Sequence, residues 1–528
     1  MSFLKSSWRP WGRPLAIASA TALLIGTVGL SPSAAVENYP DEASEASASV
    51  LASTLVKEKL LGAASTSAGL KTSPGPNNDA LNVDLLGDQV VQLGDVSVPL
   101  NDLIDFGSIG ALGSSSEATS PTSTRSVSGL VAEGGSVTLS GDDASFGAAT
   151  INLLSLSETA DVEGLTDLAV DQLELKLGAF GSEVVVEDGK ILDPDGVGGP
   201  GQYRVAQADL LVRSPLVSDA ANGIYGAAGT VDTTVEDLIN DKLDVAALTG
   251  LLAAVPAIPE PKVTVDSNMH DTLFQRVLNQ PLTSHSKLVT IDFSTGELQI
   301  HLDQLAGKGG LNAQEPNAEL ISSEIYPLIA ESVHDIMHDA TNLIVGAIED
   351  SLDAVEITLQ FTDDYGLVGG KLDVTWTFSL ADIASGEVGE VVDNSSGLIG
   401  GTTGNTLTTT INTLGGTLGT VVGPVYDLII SDAGDHIFEL AINDIKFGFT
   451  STIVNMLSPL FDVLNEFVSL QVNRQEIGTC KNTAGEDVTN SFDLSALSLG
   501  LARSADGARV NFGNSATRFT PEGCGASS

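Results

Sequence analysis

Cationic side chains are scarce in this sequence: 23 Lys and Arg stand against 69 Asp and Glu in 528 residues, a formal net charge of −46. Contacts to nucleic-acid phosphates need Lys and Arg, so nucleic-acid binding is excluded as a leading function. An anionic membrane surface would repel the same chain. Aromatic residues make up only 5%, so any core must be aliphatic. Cysteine is almost absent, with Cys480 and Cys524 alone. Two cysteines so far apart, with no histidine paired to them, make a poor zinc site. Beyond the N-terminal 35 residues there is no run of eighteen clean apolar residues, so the mature chain is expected to have no membrane span. The nearest stretch, Leu414 to Ile430, is rich in Gly and Thr and reads as a buried segment.

Catalytic signatures are also lacking. There is no G-x-S-x-G, no P-loop and no G-x-G-x-x-G after a strand. His334-Asp335-Ile336-Met337-His338 is close to the helix-borne zinc pattern, but Asp stands where the general-base Glu belongs, and the two imidazoles fall opposite the apolar stripe, as on a solvated helix face. His270, His285, His301 and His436 stand in no recognisable frame. Asp193-Pro194-Asp195-Gly196 resembles part of a Ca²⁺ loop but lacks its terminal Glu, which favours an ordinary turn. No catalytic, cofactor-binding or metal residues are therefore assigned. The acidic coat serves solubility and admits weak, multi-site Ca²⁺ binding.

What is present begins with an export pattern. Lys5, Arg9 and Arg13 precede an apolar stretch centred on Leu23-Leu24-Ile25, followed by Ser33-Ala34-Ala35. This reads as a secretory signal peptide cut after Ala35. Cleavage removes three cations and no acid, deepening the net charge by three. In an exported chain the even cysteine pair reads as a disulfide, Cys480–Cys524.

The expected fold is α+β and β-rich: antiparallel sheets with a long central amphipathic helix, about 318–352, packed on strand pairs. Ile321, Ile325, Ile329, Val333, Ile336, Ala340, Leu343 and Ala347 recur at helical spacing after Pro316-Asn317, with Asn317 as a capping residue. Pro327 inside the pattern implies a kink or a first-turn position. Strand alternation flanks the helix. It runs through Val289, Ile291, Phe293 and Leu298, Ile300, Leu302 on one side, and through Val355 to Phe361 and Leu372 to Leu380 on the other. The economical arrangement puts these hairpins in one sheet covered by the helix.

The chain divides into 1–35, the signal peptide; 36–125, an N-terminal segment, helical around 43–61 and then strand-like; 126–230, a β-rich domain; 231–435, the central α+β domain, with a helical pattern over 232–255; and 436–528, a C-terminal β-rich section. Ser114 to Ser128, almost without large apolar residues, reads as a linker or surface loop.

Several runs taken in order resemble a known family. They are Val127-Ser128-Gly129-Leu130-Val131-Ala132-Glu133-Gly134-Gly135, Tyr203-Arg204-Val205-Ala206-Gln207-Ala208-Asp209-Leu210 running into Ser214-Pro215, Ser294-Thr295-Gly296-Glu297-Leu298, Leu311-Asn312 before Pro316-Asn317, and Ser469-Leu470-Gln471-Val472-Asn473. Together they resemble the choice-of-anchor G family of actinobacterial exported proteins. The resemblance implies a secreted, envelope-associated protein with no assigned activity. The C-terminus departs from that pattern in showing no anchoring signal. The expectation is a non-enzymatic, secreted or cell-surface protein with a structural or adhesive role and an envelope or extracellular partner. The alternative is a secreted hydrolase whose site is assembled from scattered residues.

Overall fold

The computed structural model describes residues 38–524 apart from several stretches, the longest being 140–148, 156–169 and 424–452. Residues 1–35 and the cleavage position after Ala35 lie outside the described residues, as do Asp195, His270 and His436.

The architecture is β-rich with antiparallel sheets and a minority of helices. Three sheets carry most of it. A six-stranded terminal sheet joins the two ends of the chain. Its strand Glu45–Ser53 pairs with Ala508–Arg518, which continues through Asp487–Leu501 and Val468–Lys481. The segments 36–125 and 436–528 thus share one sheet. A serine sheet contains Leu112–Ser120, Ser123–Val131 and Phe180–Glu187. A seven-stranded central sheet runs through Val289–Asp292, Glu297–His301, Ala208–Arg213, Gln172–Leu177 and Ala149–Asn152.

Two expectations are corrected in these sheets. Residues 45–53 form a strand, not a helix, and 112–131 is a buried hairpin, not a linker. The physical reason is the same for both. Ser and Ala side chains look too small to build a core, yet here they let two sheets press together. Ala46, Ala48, Ala68 and Ala118 are buried between them, with Ser116, Ser126, Ser128 and Ser182 beside them. Ser182 Oγ donates to the carbonyl of Leu494 at 3.1 Å, and Ser515 Oγ donates to the carbonyl of Ser182 at 2.9 Å. Hydroxyl-to-backbone bonds across the layer replace part of the hydrophobic contact that larger side chains would supply.

The terminal sheet changes the parity of its buried residues part-way along. Val50, Gly513, Ala496 and Asn473 drop out of the regular pairing at one column. Asn473 and Gly513 have φ of 54° and 60° there. On one side of the column Leu497, Leu499, Val510 and Phe512 are buried. On the other side Phe492 and Leu494 are buried, with Ala46 and Ala48 in the same columns, one step out of phase. The pairing register is the same on both sides of the column, so no residue is inserted; the left-handed backbone of Asn473 and Gly513 breaks the pleat alternation there, and the apolar side stays inward. The opposite side carries Arg474, Glu476, Asp493 and Asn514.

Helices cover the remaining apolar surface. The helix Pro215–Lys242 has Ser214 as N-cap, its hydroxyl accepting from the Leu216 N–H at 3.2 Å, and Pro215 in the first turn. It begins well before residue 232 and so takes the end of the segment 126–230 read as β-rich. The helix Ile325–Asp353 starts later than residue 318. Asn317 adopts φ 62° and bonds to the strand backbone at Asn473 and Gln475, so it does not cap the helix. Ala318–Glu319 is a short strand beside Val472 and Gln471. Pro327 falls in the first turn, where its missing N–H costs no hydrogen bond. Ile329, Val333, Ile336, Met337, Ala340, Ile344 and Ala347 are buried, whereas Leu343 is 40% exposed.

This helix touches the strands Leu282–Thr283 and Val289–Asp292 of the central sheet. The two flanking hairpins do not share a sheet. Glu356–Asp364 and Lys371–Ser379 pair in a separate four-stranded sheet with Lys262–Asp266 and Glu390–Asp393. Trp376, Phe378 and Phe361 are buried in that sheet. Both hairpins nevertheless contribute to one continuous apolar cluster running from Val50 to Phe512.

Candidate functional site

The central sheet has two unlike faces. Leu173, Leu175, Leu210, Val212, Leu298, Ile300, Val289 and Ile291 point into the core. Apart from the buried Leu211, the intervening residues form a polar ladder on the other face: Lys176 beside Asp209, Asp209 beside His301, Arg213 beside Glu297, and Thr290 beside Gln299. Period-two alternation alone dictates this separation.

Within the ladder Asp209 is fully buried. A buried carboxylate must be satisfied by several donors. His301 Nδ1 lies 2.9 Å from Asp209 Oδ1, and Gln299 Nε2 donates to Oδ2 at 2.8 Å. Gln207 Nε2 also donates to Oδ2. The other ring nitrogen of His301, Nε2, is 3.2 Å from Thr290 Oγ1, and Thr290 Oγ1 is in turn 3.0 Å from Thr283 Oγ1. The chain Asp209–His301–Thr290 therefore runs across three adjacent strands.

The His301 pKa is raised above the ordinary imidazole value, chiefly by the hydrogen bond to Asp209. Burial opposes the shift, and the charges of Asp209 and Asp303 add to it. With the imidazole neutral, Nδ1–H donates to Asp209, and Nε2 accepts the Thr290 hydroxyl proton. With it protonated, Nε2–H donates to Thr290 instead. This is the geometry of a base held in one tautomer by a carboxylate, with a hydroxyl in reach.

Asp209, His301 and Asp303 offer ligand atoms that all lie within 4.8 Å of one another. Both oxygens of Asp209 are already engaged by three donors, however, and a cation would have to displace them. The cluster is better built as a hydrogen-bonded dyad than as a metal centre.

The residues weighed from the sequence fall elsewhere. His334 and His338 are exposed on the outer face of the helix Ile325–Asp353. His338 Nδ1 is 3.2 Å from the Asn342 side-chain amide, and His285 lies 3.5 Å from Asp339. Asp193 Oδ1 accepts the Gly196 N–H at 2.8 Å, the hydrogen bond of an ordinary turn. Cys480 and Cys524 are bonded, S–S 1.96 Å and Cα–Cα 6.3 Å, which ties the C-terminal segment to the strand Val468–Lys481. Sequence reasoning did not assemble the Asp209 dyad. Its one visible trace is a charged residue inside the apolar run Ala208-Asp209-Leu210-Leu211-Val212.

Fold and site together define a β-rich, disulfide-bonded α+β protein with a histidine–carboxylate pair on one sheet. Residues 49–518 match the family model of a domain of unknown function, DUF8394. The chain belongs to that family. No curated protein and no solved structure matches the chain. Among the described residues no helix is long and apolar enough to cross a membrane.

Proposed function

We propose that the chain is an exported, non-enzymatic protein, released or held at the cell envelope, with a structural or adhesive role. The observation that carries this reading is the Cys480–Cys524 bond, because such bonds form and persist in oxidising compartments. The basic, apolar and small-residue succession of residues 1–35 supports export. The surplus of 46 negative charges supports a life in solution or against polar surfaces. The ordered runs that resemble choice-of-anchor G proteins support an envelope setting. In this reading the helix Ile325–Asp353 and the hairpins beside it form the stiff centre of a scaffold. Fractionation of the native host tests it: the bulk is expected outside the cytoplasm, and recovery of the bulk from the cytosol ends the proposal.

A second reading, a secreted hydrolase, is favoured by the Asp209–His301–Thr290 chain, since its members come from distant positions. It requires the purified protein to turn over an ester, peptide or glycan substrate and to lose that activity in both His301→Ala and Thr290→Val. Turnover unaffected by either change excludes it.

A further inference from the structure

The turn that closes the hairpin of Glu356–Asp364 and Lys371–Ser379 is apolar at its tip. Polar residues usually fill such a position, yet here Leu367 and Val368 stand 108% and 84% exposed. Beside them Leu398 and Ile399 open the helix Leu398–Ile411, 76% and 51% exposed. The two segments are locked through backbone. Lys371 N–H donates to the Ser396 carbonyl at 3.0 Å, and Ser396 N–H returns the bond to Lys371 at 2.8 Å. A Cβ added to Gly397 would fall 2.5 Å from the Gly370 Cα, and one on Gly369 would lie 3.4 Å from Ile399 Cδ1. Four aliphatic side chains therefore make one rigid, protruding knob, and the described residues leave it uncovered.

The surroundings of the knob are neutral on one side and acidic on the other. No Lys, Arg, Asp or Glu occurs between Asp393 and Asp427, so the outer face of the helix, with Thr402, Asn405, Thr406 and Thr409 exposed, carries no charge. At the end of the hairpin Asp363 and Asp364 are exposed beside a single cation, Lys371. Asp364 also accepts the Gly366 N–H at 2.9 Å, which fixes the turn.

Area and charge select the occupant. Full burial of one such side chain corresponds to about 60–120 Å² at the usual transfer coefficient, so the whole knob offers about 400 Å². A stable protein interface needs about 800 Å² per partner. A second copy would also bring the same convex shape and the same surplus of negative charge. A bilayer needs no matching concavity: aliphatic side chains sink among acyl chains while a neutral hydroxyl-bearing face lies at headgroup level. Asp363, Asp364 and the net charge of −46 exclude anionic headgroups.

We infer that this knob inserts into the surface of a bilayer of zwitterionic lipid, holding the protein peripherally through Leu367, Val368, Leu398 and Ile399. As a means of attachment to the envelope it rests on the export reading above. The insertion itself is a property of the purified chain and stands or falls wherever the protein resides.

The test is co-sedimentation of the full mature chain with phosphatidylcholine vesicles, and with a second set containing phosphatidylglycerol. Binding is expected to phosphatidylcholine and to weaken with phosphatidylglycerol. Leu367→Ser and Leu398→Ser should each lower the partition about tenfold or more, the factor that burial of one aliphatic side chain supplies. Leu367→Ser should leave the melting temperature unchanged, because this side chain packs on nothing. In Leu367→Trp the new indole should shift to the blue on binding and be quenched by lipid brominated along its acyl chains. The inference is overturned if phosphatidylcholine vesicles bind nothing, if both serine variants bind as wild type does, or if phosphatidylglycerol strengthens binding. It is equally overturned if Leu367→Ser dissolves a dimer seen by sedimentation, which would make a second copy the occupant, or if it lowers the melting temperature, which would give the side chain a partner within the fold.

Discussion

Gly513 of the terminal sheet lies against Gly181 of the serine sheet so closely that a Cβ added to Gly513 would fall 2.8 Å from the Gly181 Cα. A Cβ on Gly181 would meet the Ser128 carbonyl oxygen at 2.5 Å. Gly513 also has φ of +60° at the column where the sheet changes parity. Gly513→Ala and Gly181→Ala should each destabilise by about 2 kcal/mol or more, seen as a lower urea midpoint. Gly226, in the helix Pro215–Lys242, has open space around it, so Gly226→Ala should raise the midpoint slightly by helix propensity, by about 0.5–1 kcal/mol. Equal effects at all three positions would show that the sheets are not in contact through backbone.

The disulfide Cys480–Cys524 spans 44 positions of sequence. In the chain-entropy account a loop of that size contributes about 4 kcal/mol. Cys480→Ser, Cys524→Ser and treatment of the wild type with reductant should lower the unfolding midpoint by the same amount. A wild type indifferent to reductant would mean that this end is held by its strands alone.

His301 should stabilise the fold in a pH-dependent way. Its folded pKa is raised by Asp209, so the stabilisation is fully present below the ordinary value of about 6.5 and fades as pH rises through the folded value. Asp209→Asn should lower the His301 titration midpoint by NMR, and it should destabilise more at pH 5.5 than at pH 8.5. An unchanged midpoint would show that the carboxylate does not set the proton on the ring.

Asp493 behaves in the opposite sense. Burial pushes its pKa up to about 7, with the charge of Glu476 adding to this, while Arg474 and the Asn514 amide oppose it. Its charged form is the costly one in the folded state. The penalty is absent below the unfolded value near 3.8 and grows as pH rises toward 7. Asp493→Asn should therefore raise the unfolding midpoint at pH 8 relative to wild type, and the gain should shrink toward pH 4.5. A loss of stability at pH 8 would show that the carboxylate makes bonds worth more than its desolvation.

The parts of this fold that were legible in the sequence are those where apolar size and periodicity agree. Ile357, Leu359 and Phe361 opposite Phe378, Trp376 and Val374 announce a hairpin, and they form one. The serine hairpin 112–131 was not legible, because Ser and Ala carry no hydropathy contrast and their burial depends on a second sheet far away in the chain. The start of the helix Ile325–Asp353 was misplaced for a similar reason. The residue bonded to Asn317, Asn473, is more than a hundred positions downstream. The Asp209–His301 pair escaped notice because its partners are neighbours only across strands, and no spacing along the chain encodes that contact.

Export and closure of the disulfide outside the cytoplasm, as proposed, are both read from the intact mass of the protein recovered from its native host. The expected species is a chain lacking residues 1–35, lighter by two hydrogens than its reduced form, and found outside the cytoplasm. A full-length chain with both thiols free, recovered from the cytosol, would contradict it.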